Sequence, residues 1–75
     1  VENKHKYKVG DVVVDKNHGR VIITKLYDEW EWDHLYGNWY NILTGDGRHI
    51  STTDKEIERI DLIATMEYKR ILSRE

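Results

Sequence analysis

The chain has no cysteine and no phenylalanine, and none of its 75 residues belongs to a long apolar run. Without cysteine there is no disulfide framework, no thiolate zinc site and no thiol nucleophile, and a reducing compartment is the natural expectation. Without phenylalanine, three Trp and five Tyr must supply the large rings of the core, each able to bury on the order of 150–250 Å². No stretch approaches the roughly 20 apolar residues that cross a bilayer, and the lysine-dotted N-terminus has no hydrophobic signal region. These absences predict a soluble, cytoplasmic chain with no membrane contact. A strong charge of one sign is missing too: the net charge is −2, which is not how a uniformly basic duplex-DNA binder is written. The length suits one small domain, which buries only about 60% of its extended-chain surface, so stability must come from a thin, well-packed core.

What is present begins with Lys8 to Leu26, KVGDVVVDKNHGRVIITKL. Two β-branched runs, Val12 to Val14 and Arg20 to Lys25, are joined by the polar turn Asp15, Lys16, Asn17, His18, Gly19. Branched side chains are stiff at χ1 and fit a pleated, half-buried surface. Asn17 and Gly19 suit the positive φ of a short hairpin connection. Alternation sends Val12, Val14, Val21 and Ile23 to one face, yet Val13 and Ile22 are apolar as well. Either both faces of these strands are covered, or a twist or bulge redistributes the side chains.

The Gly10-Asp11 pair opening a strand at Val12, followed by a polar turn, Gly19 and a second strand at Val21, resembles the first hairpin of small SH3-like barrels of the KOW and Tudor type. The resemblance runs from Tyr7 to about Asp61. It implies a mainly β fold, a small SH3-like barrel of about five strands, and such barrels serve many functions.

Further along, Val1 to Lys6 is polar and aperiodic and reads as a flexible arm, residues 1–6. Trp39 to Ile50 is a second hairpin around Gly45-Asp46-Gly47, with Tyr40, Ile42 and Ile50 as its inward row. Ser51 to Thr53 continues the strand. Thr53 or Asp54 then offers a helix cap, and Ile57, Ile60, Ile63 and Met66 recur at helical spacing. The barrel resemblance instead implies a closing strand at Ile57 to Asp61. We place that strand there, completing a barrel over 7–61, and a C-terminal helix from Leu62 to Ser73 within 62–75. Leu62, Ile63, Met66, Tyr68, Ile71 and Leu72 give the helix a wide apolar face. Where the barrel does not cover that face, it is expected to make a homodimer or partner contact.

Catalytic chemistry finds little support. No two of the four His stand at i, i+3 or i, i+4, and the nearest pairings with acids, Asp33-His34 and Asp46 with His49, fall short of the three or four ligands of a metal site. Ser51 and Ser73 lack a nucleophile-elbow context, and Gly45-Asp46-Gly47 lacks the helix start and the Lys-Ser/Thr of a phosphate loop. Neither an enzyme, a metal nor a cofactor is expected.

Binding is what remains. Residues 1–27 carry six Lys/Arg and three acids, whereas 28–33 carry four acids and no base. Trp30, Trp32 and Tyr36 stand among Glu29, Glu31 and Asp33, and aromatics flanked by carboxylates suit a basic peptide or basic protein surface through cation–π and charge attraction. Trp39 and Tyr40, close by, serve equally well as core. The first alternative, implied by the KOW resemblance, is contact with nucleic acid or the transcription and translation machinery through Lys6, Lys8, Lys16, Arg20 and Lys25, with Tyr7 for stacking. Negative net charge weakens it, because such affinity scales with phosphates neutralised. The second alternative is a small stand-alone inhibitory protein of viral type, its acidic loop blocking a basic site.

Overall fold

The computed structural model describes residues 5–27 and 38–73. Within them, β1 (Val12–Asp15), β2 (Gly19–Leu26), β3 (Trp39–Leu43), β4 (His49–Thr53) and β5 (Ile57–Ile60) precede one helix, α1 (Leu62–Ser73). The strands form one antiparallel sheet in the order β4-β3-β2-β1-β5. Three of the four pairings are local hairpin contacts. The fourth, β1 with β5, brings together segments more than 40 residues apart and adds β5 at the β1 edge of the sheet.

The first hairpin turns at Gly19, whose φ of 71° lies in the left-handed region that the flanking valines would occupy only at a steric cost. Gly47, at φ 86°, does the same for the β3–β4 turn. The register of the sheet is irregular in two places. β1 shifts against β5 between Val14 and Asp15, and β2 shifts against β3 between Ile23 and Lys25. Such bulges raise local twist and bend a strand.

Val13, Val21, Ile23, Tyr40, Ile42 and Ile57 make the buried core, with Tyr7, Leu26, Ile50 and Ile60 packed against it. The inward row Tyr40, Ile42 and Ile50 is as the sequence pattern has it. On β1 the inward residue is Val13 instead of Val12 and Val14. Pairing decides this: Val13 stands opposite Val21 on β2, and the two share a face. Val12 points the other way and is nevertheless buried, at 6% exposure, because α1 lies over that side of β1. Both faces of this strand are covered at that point.

The helical spacing of Ile57, Ile60, Ile63 and Met66 does not prevail before residue 62. Val13 and Val14 offer β5 a ladder, Ile57 enters the core, and the chain stays extended to Ile60. Asp61 then caps the helix: its Oδ1 accepts the Ala64 amide at 3.0 Å and its carbonyl accepts the Thr65 amide at 2.9 Å. Asp54 to Glu56, where the local signals suggest a helix start, form only a turn.

Candidate functional site

The partner-binding residues expected from sequence, Glu29, Trp30, Glu31, Trp32, Asp33 and Tyr36, lie outside the described residues. The structure does define the frame that carries them. Tyr27 on one side and Asn38 on the other bracket this segment, and each is fixed by several hydrogen bonds.

Tyr27 donates its amide to the Trp39 carbonyl at 3.1 Å and its hydroxyl to Asn41 Oδ1 at 2.9 Å. The same Asn41 oxygen accepts the Ser51 hydroxyl at 3.2 Å, and the Asn41 carbonyl accepts from Thr24 Oγ1. Asn41 thus gathers β2, β3 and β4 on their outer face. Lys25 places its ammonium 5.5 Å from the centre of the Tyr27 ring, within cation–π range.

Asn38 is held by Asp54. Its side-chain amide donates to Asp54 Oδ2 at 3.0 Å, its backbone amide donates to the same oxygen at 3.3 Å, and its carbonyl accepts the Asp54 amide at 3.1 Å. Asp54 Oδ1 in turn accepts the hydroxyl of buried Tyr40 at 2.6 Å, and that hydroxyl accepts the Lys6 amide at 3.1 Å. Burial, the hydrogen bond to Asp54 and the Asp54 charge push the Tyr40 phenol well above its ordinary pKa. Burial and the same charge raise Tyr7. Both rings therefore remain protonated over any physiological range, and Tyr40 acts as a fixed donor.

His5 packs edge-on against Tyr40 with ring centres 5.1 Å apart, and Tyr7 does so at 5.8 Å. The last two residues of the expected flexible arm, His5 and Lys6, thus contact the core residue Tyr40.

The chain matches no family model, no curated protein and no solved structure.

The five basic residues named from the sequence sit at separate points of the first hairpin and its approach. Lys16 and Arg20 sit at the β1–β2 turn, whereas Lys25 lies five residues further along β2, about 17 Å away at strand rise. Arg20 Nε pairs with Asp61 Oδ2 at 3.0 Å. Lys8 sits at the turn leading into β1, where its amide donates to Asp11 Oδ2 at 3.0 Å. Lys6 lies over the Tyr40 hydroxyl.

One constellation escaped the sequence reading. Asp15, with its side chain 1% exposed, accepts Thr52 Oγ1 at 2.7 Å on one oxygen. On the other it accepts the Asn17 amide at 3.0 Å and His18 Nδ1–H at 2.9 Å. Burial pushes this carboxyl's pKa up, but hydrogen bonds from Thr52, His18 and Asn17 outweigh it and leave the group below the usual carboxylate range. The Asp15…His18 spacing of three equals that of Asp46 and His49, and what sets Asp15 apart is its burial against Thr52, which only the fold supplies. Its chemistry here is structural: the carboxylate locks the hairpin turn and ties it to β4. Among the described residues, no three metal-ligating side chains converge.

Proposed function

We propose that the protein is a non-catalytic interaction module that binds a basic peptide or basic protein surface through Trp30, Trp32 and Tyr36 and the carboxylates Glu29, Glu31 and Asp33. The observation that carries this reading is the double clamp at Tyr27 and Asn38. Asp54, Tyr40 and Asn41 spend buried or half-buried hydrogen bonds on fixing the two ends of this one segment. A frame of that kind lowers the ordering cost of presenting large side chains to a partner. Indoles beside carboxylates then supply anchor area and attraction for lysine or arginine.

The nucleic-acid reading is weakened by the Arg20–Asp61 pair, which engages one of its five cations. Lys25 over Tyr27 is the one feature in its favour, since a ring with a cation beside it suits a stacked base.

The test is binding of the intact chain to an arginine- and lysine-rich peptide and to a single-stranded oligonucleotide, each titrated with salt. The proposal expects the peptide to bind, and the Trp30→Ala/Trp32→Ala double variant to lose it while keeping its circular-dichroism spectrum. Oligonucleotide binding that weakens steeply with salt and survives the double substitution would instead establish the nucleic-acid reading.

A further inference from the structure

Two backbone bonds fix which way each residue of β4 presents its peptide groups. Asp54 donates to the Asn38 carbonyl at 3.1 Å and Thr44 donates to the Arg48 carbonyl at 2.9 Å, one bond at each end of the β3–β4 ladder. Between them the register runs without a shift from Leu43 opposite His49 to Trp39 opposite Thr53. Bonded and unbonded pairs alternate in an antiparallel ladder, so Arg48, Ile50, Thr52 and Asp54 turn their backbone groups to β3. His49, Ser51 and Thr53 turn theirs outward, and β4 ends the sheet on that side. The Thr53 carbonyl is taken by the Glu56 amide at 3.0 Å. Among the described residues, the amides and carbonyls of His49 and Ser51 have no partner.

Sheet edges are ordinarily blunted by charge, proline, a bulge or a covering element. β5, at the opposite edge, is four residues long, carries exposed Glu58 and Arg59, and shifts register against its neighbour. β4 reads HISTT, with no proline, no charged residue of the Lys, Arg, Asp or Glu kind, and no shift against β3. One edge is guarded and the other is open.

We propose that β4 pairs antiparallel with β4 of a second copy of the chain, about a two-fold axis at Ile50. Free backbone groups at i and i+2 on an edge are matched by extended backbone, and a two-fold contact requires a surface complementary to itself. With the axis at Ile50, His49 stands opposite Ser51 of the partner subunit and the two exchange both bonds, so every free group of the pair is satisfied. An axis at Ser51 would call on the Thr53 carbonyl, which Glu56 occupies, and an axis at His49 would set Ser51 against Gly47, whose amide is bonded to Thr44. Ile50 is half-buried and packed against the core. Across the axis it meets Ile50 of the partner subunit in an unbonded pair, where side chains approach most closely. Arg48, exposed and paired through Nε with Asp46 at 2.9 Å, lies diagonal to Asp54 of the partner subunit, a spacing that a long side chain spans. Symmetry makes that match twice. This contact does not rest on the segment between Tyr27 and Asn38.

A pairing this short belongs to the weak end of specific contacts, so the test is amide exchange and sedimentation equilibrium of the intact chain up to about 1 mM. The proposal expects a monomer–dimer equilibrium in which the His49 and Ser51 amides gain protection as concentration rises. The Ile50 and Thr52 amides, bonded to β3, should be protected throughout. Ser51→Pro removes an outward amide at a position that an edge strand tolerates, and should weaken the dimer about tenfold or more. The double variants His49→Asp/Ser51→Asp and His49→Lys/Ser51→Lys change exposed positions and set like charges opposite each other. Each alone should be monomeric with an unchanged circular-dichroism spectrum, and their equimolar mixture should associate, because every acid then faces a lysine. A monomer at every concentration, a dimer whose His49 and Ser51 amides exchange as fast as in the dilute chain, or a mixture that stays monomeric would overturn the proposal.

Discussion

Asp15 on β1 and Thr52 on β4 share a 2.7 Å hydrogen bond although β2 and β3 separate their strands in the sheet. Only a sheet that curls over its own core brings them together. The bond lies inside, with both residues buried, so its energy is that of a charge-assisted contact shielded from water. Thr52→Val keeps the shape and removes the donor. We expect a loss of about 1–3 kcal/mol, read as a lower midpoint in urea unfolding with an unchanged slope.

The depressed pKa of Asp15 makes stability depend on acid. A carboxyl whose folded-state pKa lies below its unfolded value of about 4 contributes fully above that value and loses its contribution as pH falls through the folded one. Thermal melts from neutral to strongly acidic pH should therefore fall more steeply for the wild type than for Asp15→Asn. Asp46 and Asp61, also lowered, are present in both chains and cancel in the comparison. Parallel curves would show that Asp15 is not the linked group.

Tyr40 gives the opposite sign at the alkaline end. Its raised pKa means that its contribution is complete below the unfolded value of about 10 and disappears as pH rises through the folded one. Absorbance titration near 295 nm should show one tyrosine ionising last, and Tyr40→Phe should remove that step. The same substitution leaves Asp54 Oδ1 and the Lys6 amide without their partner, at a cost of about 1–3 kcal/mol.

Thr65 and Asp61 hold α1 by different means, and the two are separable. Thr65→Val strands the Val12 amide, so exchange of that amide with deuterium should accelerate while the rest of β1 stays protected. Asp61→Ala removes the cap at Ala64 and the Arg20 pair, costing about 0.5–2 kcal/mol and fraying the first turn. Equal Val12 protection in wild type and Thr65→Val would show that the hydroxyl does not replace a strand partner there.

The sequence by itself determined the elements whose causes are local. Gly19 and Gly47 permit the positive φ of two hairpin turns, the branched residues on either side favour extended backbone, and Leu62 to Ser73 favours helix over its full length. Tertiary structure decided three matters that no short window contains. Val12 and Val13 are equally apolar, so which of them faces the core follows from the register with Val21 and from the helix that covers Val12. Ile57 and Ile60 fit a helix as well as a strand, and the choice falls to the ladder offered by β1, more than 40 residues earlier. The buried carboxylate of Asp15 depends on Thr52, 37 positions away. Likewise, Thr65 is buried on the helix because its hydroxyl completes the hydrogen bonding of Val12, 53 positions earlier. Propensity acts between neighbours in the chain, whereas burial and hydrogen-bond satisfaction act between neighbours in space.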